Sequence, residues 1–142
     1  MIFLFICYVC KYSGLFLHFN EVIHSKHIYL SEHLRRSSGH GSKVKDGNVY
    51  EGRGWDTTGA HAGAEYNKNG LGVAMLGDFT STMPTSKALQ ALNNLLACAI
   101  TKKKLVANDY HVLGHRDIKA TECPGDLFYA NYVTRMPNYG LP

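Results

Sequence analysis

The residues with chemistry to offer crowd into one stretch, Tyr110 to Gly125, YHVLGHRDIKATECPG. His115 and Cys123 stand at the two ends of a polar loop, and Pro124-Gly125 closes it. An imidazole and a thiolate joined by one short loop supply half of a four-coordinate zinc site. A zinc ion takes the thiolate and itself stabilises that form. Thr121, two residues before Cys123, can aim its hydroxyl at a metal-bound water or a developing oxyanion. Each residue also has a blander use. On spacing alone, a core histidine and a buried cysteine that never meet are the commoner outcome, because a catalytic zinc needs three protein ligands. A threonine that steadies its own loop is likewise commoner, and Arg116-Asp117 reads most simply as a local ion pair or turn.

A third ligand has to come from elsewhere. His111 shares a strand face with His115, but strand rise separates the two by roughly 13 Å, too far for one ion. His61, on a Gly-rich loop, and the histidines before residue 45 (His18, His24, His27, His33, His40) remain. Histidines scattered without a period face solvent more often than they ligate.

With 142 residues, 45% hydrophobic and 18% charged, the chain is expected to fold as one globular domain. A net charge of +4 suits an anionic polymer such as a bacterial wall. No Lys/Arg stripe with interleaved aromatics marks a nucleic-acid surface, and nucleic acid is not expected as a partner. The cysteines at 7, 10, 98 and 123 do not form a disulfide framework. Cys7 and Cys10 have redox spacing without a surrounding βαβ unit. Cys98 lies in an apolar helical run and is expected to be buried as a small hydrophobe.

The elements that must carry the site follow from pattern. Met1 to Cys10 is apolar, too short to span a bilayer, and reads evenly as a signal-type segment or a buried strand. Ile28 to Arg36 suggests a short helix. Asp46-Gly47 is a turn signal before a strand at Asn48 to Gly52, and Gly70 to Gly77 is apolar on both faces, as a covered central strand would be. Thr85 to Lys103 is the clearest helix, with Leu89, Leu92, Leu96 and Ala99 or Ile100 in its stripe and Thr85 or Ser86 as cap. Tyr110 to Gly114 reads as a strand, and a last helix runs from about Asp126 to Arg135. The result is an α/β fold with a mixed sheet.

Asn48 to Ala62 (NVYEGRGWDTTGAHA), Gly70 to Phe79 (GLGVAMLGDF), Leu95 to Cys98 and Gly114 to Gly125 (GHRDIKATECPG) together resemble the animal peptidoglycan recognition proteins. The resemblance runs from Asp46 to Tyr139 in four ordered motifs. It implies the phage-type zinc amidase fold, a central mixed β-sheet flanked by helices with a groove for glycan and stem peptide. It implies an innate-immunity protein, secreted, that meets bacterial peptidoglycan and muropeptides. Catalytic members are N-acetylmuramoyl-L-alanine amidases, which cleave the muramic acid–L-alanine amide with Zn2+. By this resemblance His115 and Cys123 are metal ligands, Thr121 is catalytic, and His61, Trp55 and Tyr66 bind substrate.

The first 45 residues depart from the family pattern, so residues 1–45 form a divergent segment before a recognition domain at 46–142. The family's catalytic tyrosine falls, without gaps, on Gly39, and its early disulfide has no counterpart. His24 is the one candidate for the first zinc ligand, yet it lies too close in sequence to Asp46. An early strand is expected to be altered or missing. The resemblance therefore implies either a zinc amidase or a non-catalytic peptidoglycan-binding protein that has lost the full site.

Overall fold

The computed structural model assembles five short strand-forming segments into one sheet. The structure describes residues 2–9, 27–31, 48–51 and 55–141. Its strands are β1 (Ile2–Val9), β2 (His27–Ser31), β3 (Asn48–Glu51), β4 (Gly70–Leu76) and β5 (Tyr110–Gly114), in the spatial order β3-β2-β4-β1-β5. β1 runs parallel to both β4 and β5, β2 runs parallel to β4, and β3 is antiparallel to β2. The sheet is mixed, and β4 lies at its centre, as its two apolar faces require.

Two expectations for the first 45 residues meet this result. The apolar run at the start forms β1 between β4 and β5, in register from Phe3 opposite Gly70 to Val9 opposite Leu76. The helix expected at Ile28 to Arg36 is replaced by β2 over His27–Ser31. Three apolar residues, Ile28, Tyr29 and Leu30, are too few for periodicity to separate helix from strand, and β-branched and aromatic side chains favour the pleated surface. His24 lies outside the described residues, as do His33 and Gly39.

Among the described residues, three helices flank the sheet: α1 (Ala64–Asn69), α2 (Ser86–Thr101) and α3 (Asp126–Asn131). Helix α2 buries Ala88, Ala91, Leu92, Leu95, Leu96 and Ala99, a stripe at three- and four-residue steps. The Thr85 hydroxyl caps it by accepting from Ala88 N–H at 3.3 Å. Cys98 is exposed rather than buried, because the stripe turns through Leu95 and Ala99 and leaves position 98 on its solvent side. The last helix is shorter than the pattern suggested. It ends at Asn131, and a 3-10 turn over Val133–Arg135 follows a break at Tyr132.

The two faces of the sheet bury different clusters. Leu71, Val73 and Met75 of β4 and Tyr110 and Val112 of β5 pack with α2, Phe79, Phe128 and Val133 in the main core. Phe79 meets Phe128 edge-on at 5.5 Å, and Phe128 stacks on Tyr132 at 5.6 Å. Leu113, next along β5, alternates away from that core and packs with Ala62, Tyr66 and Ile118. This small second cluster joins the segment after β3 to the segment after β5. It organises the site.

Candidate functional site

The chemistry-bearing loop begins where β5 ends. A 3-10 turn over His115–Asp117 turns the chain off the sheet edge, and Lys119 N–H donates back to the His115 carbonyl at 3.1 Å. The loop then closes on itself, with Arg116 N–H donating to the Cys123 carbonyl at 3.0 Å. That bond brings the His115 and Cys123 ends of the loop together through the backbone. Of the two readings of Arg116-Asp117, the structure contains the turn, and the two charges go to separate partners.

Arg116 binds the far end of the loop. Its Nε donates to the Cys123 carbonyl at 3.3 Å, Nη2 to the Glu122 carbonyl, and Nη1 to Asp126 Oδ1 at 2.7 Å. The guanidinium also lies 4.8 Å from the centre of the Tyr129 ring. One planar side chain thereby ties residues 122, 123 and 126 to the start of the loop. Gly125 makes the exit possible. Its φ is +95, and a Cβ there would fall 2.5 Å from the Phe79 carbonyl carbon.

Cys123 is buried at 6% exposure, and its N–H donates to Thr121 Oγ1 at 3.2 Å. Thr121 itself is exposed. The bond to Cys123 uses a lone pair of the hydroxyl and leaves its O–H able to donate to an incoming oxygen. The threonine therefore steadies the loop and presents a donor at the same time. His115 is half-buried with Nε2 shielded from solvent. His111, half-buried on β5, has Nδ1 3.0 Å from the Gly140 carbonyl oxygen, which gives it a structural place away from the loop.

The second half of the site is the His61 loop. Asn67, on α1, accepts with one Oδ1 from both His61 N–H at 2.8 Å and Ala62 N–H at 2.7 Å. Gly59 N–H adds a bond to the Asn67 carbonyl at 3.3 Å. His61 is half-buried, with both ring nitrogens shielded from solvent. Tyr66 packs into the Ala62–Leu113 cluster together with Ile118 of the 114–125 loop. The structure thus brings the His61 loop, Tyr66 and the 114–125 loop to one side of the sheet. Trp55 packs instead against the main core, and a Lys104–Asp56 ion pair fastens its neighbour to the end of α2. Asn67 was not singled out by the sequence. Nothing in its spacing distinguishes it, because its role depends on a contact back to residues 61 and 62.

Imidazole and thiol are donors that zinc accepts, and in kind His115 and Cys123 fit such an ion. In number the described residues fall short. Among them, no group of three or more His, Cys, Asp or Glu side chains comes together to hold a metal.

Comparison with known proteins gives the chain a family. A family model described as N-acetylmuramoyl-L-alanine amidase matches residues 14–126. Peptidoglycan recognition protein 1 of Bos taurus is 42% identical over 95 residues, covering 67% of this chain and 49% of that protein. The N-acetylmuramoyl-L-alanine amidase of Sus scrofa is 40% identical over 96 residues, covering 68% of this chain and 16% of that enzyme. Among solved structures, the Drosophila peptidoglycan recognition protein SA superposes with a TM-score of 0.75 at 26% identity, covering 98% of this chain and 80% of that one. Peptidoglycan recognition protein LE, solved with tracheal cytotoxin, a monomeric diaminopimelic acid-type peptidoglycan, gives 0.74 at 25% identity, covering 97% and 81%. The chain belongs to the N-acetylmuramoyl-L-alanine amidase family that contains the peptidoglycan recognition proteins. It spans about half the length of the peptidoglycan recognition protein 1 sequences it matches.

Proposed function

We propose that this chain recognises the muramyl-peptide portion of bacterial peptidoglycan. The observation that carries the reading is the Ala62–Leu113 cluster, which holds the His61 loop, Tyr66 and the 114–125 loop against one another. Two polar loops held side by side by a small apolar anchor offer a stem peptide hydrogen-bonding groups at a fixed separation. Trp55 and Tyr66 would supply apolar and aromatic surface, and His61 a polar contact from a clamped backbone. The likeness to peptidoglycan recognition protein LE, solved with a peptidoglycan monomer, supports the substrate class. The net charge of +4 suits an anionic wall. An extracellular location follows from that role. No helix among the described residues is long and apolar enough to cross a membrane. Co-sedimentation of the purified chain with insoluble peptidoglycan tests the reading, and a chain that stays in the supernatant at low salt overturns it.

A second reading, hydrolysis of the muramic acid–L-alanine amide, is favoured by the joint retention of His115, Thr121 and Cys123. His115 and Cys123 would be two ligands of a zinc ion, with His24 the sequence candidate for another. When bound, that ion would acidify a water and polarise a carbonyl. The chain's own part would be to hold the Thr121 hydroxyl towards the reacting oxygen through its bond to Cys123 N–H. Mass spectrometry of peptidoglycan digests decides this reading. Free stem peptide from wild type that disappears with His115→Ala supports it, and wild-type digests without stem peptide contradict it.

A further inference from the structure

Asp117 lies two residues beyond His115, and its carboxylate gathers groups from three separate segments. Oδ2 accepts from Gly114 N–H at 2.7 Å. Oδ1 accepts from the Tyr129 hydroxyl of α3 and, at 3.4 Å, from the Tyr139 hydroxyl near the C-terminus. The two hydroxyls lie 2.7 Å apart, and their rings meet edge-on at 6.2 Å. We infer that Asp117, held by the Tyr129 and Tyr139 hydroxyls, is the positioning residue of the 114–125 loop, fixing the direction in which His115 leaves the sheet.

The geometry brackets His115 from both sides. Gly114 before it and Asp117 after it are joined by one charge-assisted bond, so the intervening backbone has little freedom to rotate. The Tyr129 ring closes the other side. A Cβ on Gly114 would sit 3.0 Å from Tyr129 Cδ2 and Cε2, and Arg116 lies over the same ring. Tyr139 brings in the end of the chain. Val112 N–H donates to the Asn138 carbonyl at 2.9 Å and Gly140 N–H to the Val112 carbonyl at 3.1 Å. These bonds run the 138–140 segment alongside β5 as a parallel bridge between Val112 and Tyr139. A residue far along the sequence thus sets the exit of the site loop. None of these three side chains needs to touch a ligand for this to hold.

Tyr139→Phe removes one hydroxyl and keeps the ring. Tyr132→Phe is the matched control, since that hydroxyl donates to Asn93 Oδ1 at 3.0 Å and has no bond to Asp117. The probe is the NMR spectrum of the free protein, read at the His115 ring carbons and the Cys123 amide. Tyr139→Phe is expected to shift both signals, Asp117→Asn to shift them further, and Tyr132→Phe to leave them in place. Affinity for N-acetylmuramyl pentapeptide, which rests on the muropeptide reading, is expected to fall roughly 2- to 10-fold in Tyr139→Phe, the weight of one hydrogen bond. Unmoved His115 and Cys123 signals in both Tyr139→Phe and Asp117→Asn overturn the positioning role, as do equal shifts in Tyr132→Phe. Should wild type bind no muropeptide, the functional reading falls, while the spectra of the free protein still decide the role of Asp117.

Discussion

Asn67 satisfies two consecutive backbone amides with one side-chain oxygen, and those amides belong to His61 and its neighbour Ala62. Asn67→Ala leaves both donors to find water from a partly buried position. The expected loss is about 1–3 kcal/mol in urea denaturation, because an unmade bond to a sequestered donor costs more than a made one returns. The same substitution frees the His61 loop and should weaken muropeptide binding. At this scale the sequence was informative where chemistry is contiguous. His115, Thr121 and Cys123 lie within one loop, and their types announced a possible site before any fold was known. Asn67, Asp117 and Tyr139 were illegible because their partners lie on other segments or depend on how a turn points its side chain. Arg116 and Asp117 look like a pair in sequence, yet one reaches Asp126 and the other Gly114 N–H.

Among the elements, α2 shows what patterning can decide. Leu92 is fully buried in the stripe that faces the main core. Leu92→Ala should cost about 2–5 kcal/mol, measured as a lowered denaturation midpoint with an unchanged slope. A helix with a sustained apolar stripe and a capping threonine has several independent signals, and pattern and structure agree on it to within a few residues. Short elements carry too few. The run at 27–31 gave an apolar cluster without a period, and it became a strand by pairing with β4 and β3. Helix α1 is six residues long and starts after Gly63, whose φ of +94 breaks the chain direction. Local sequence offered no stripe from which to see it. The run at 2–9 was balanced between a signal-type segment and a strand, and sheet pairing on both sides settles which structure it forms here.

At the scale of the whole molecule, a mixed sheet separates a large core from a small second cluster, and the C-terminal segment joins the large core to the 114–125 loop through Tyr139. That junction has a pH signature. Burial first, and then the hydrogen bond to Asp117, hold the Tyr129 phenol above its ordinary value of 10.0. A group whose folded pKa is raised contributes stability that is complete below its unfolded value and is lost as pH rises through the folded one. The melting temperature of wild type should therefore decline above about pH 10, and that of Tyr129→Phe should decline less over the same range. Identical alkaline slopes for the two proteins would remove Tyr129 from the account.

The family model matches residues 14–126, whereas the proposed recognition of muropeptide rests on the two loops meeting at Ala62 and Leu113. Calorimetric titration of the purified chain with N-acetylmuramyl pentapeptide tests that meeting most directly. The expected result is saturable binding by wild type that weakens roughly tenfold or more in His61→Ala, the scale of a residue central to an interface. Absence of binding by a folded wild-type chain, or equal affinity in His61→Ala, would contradict it.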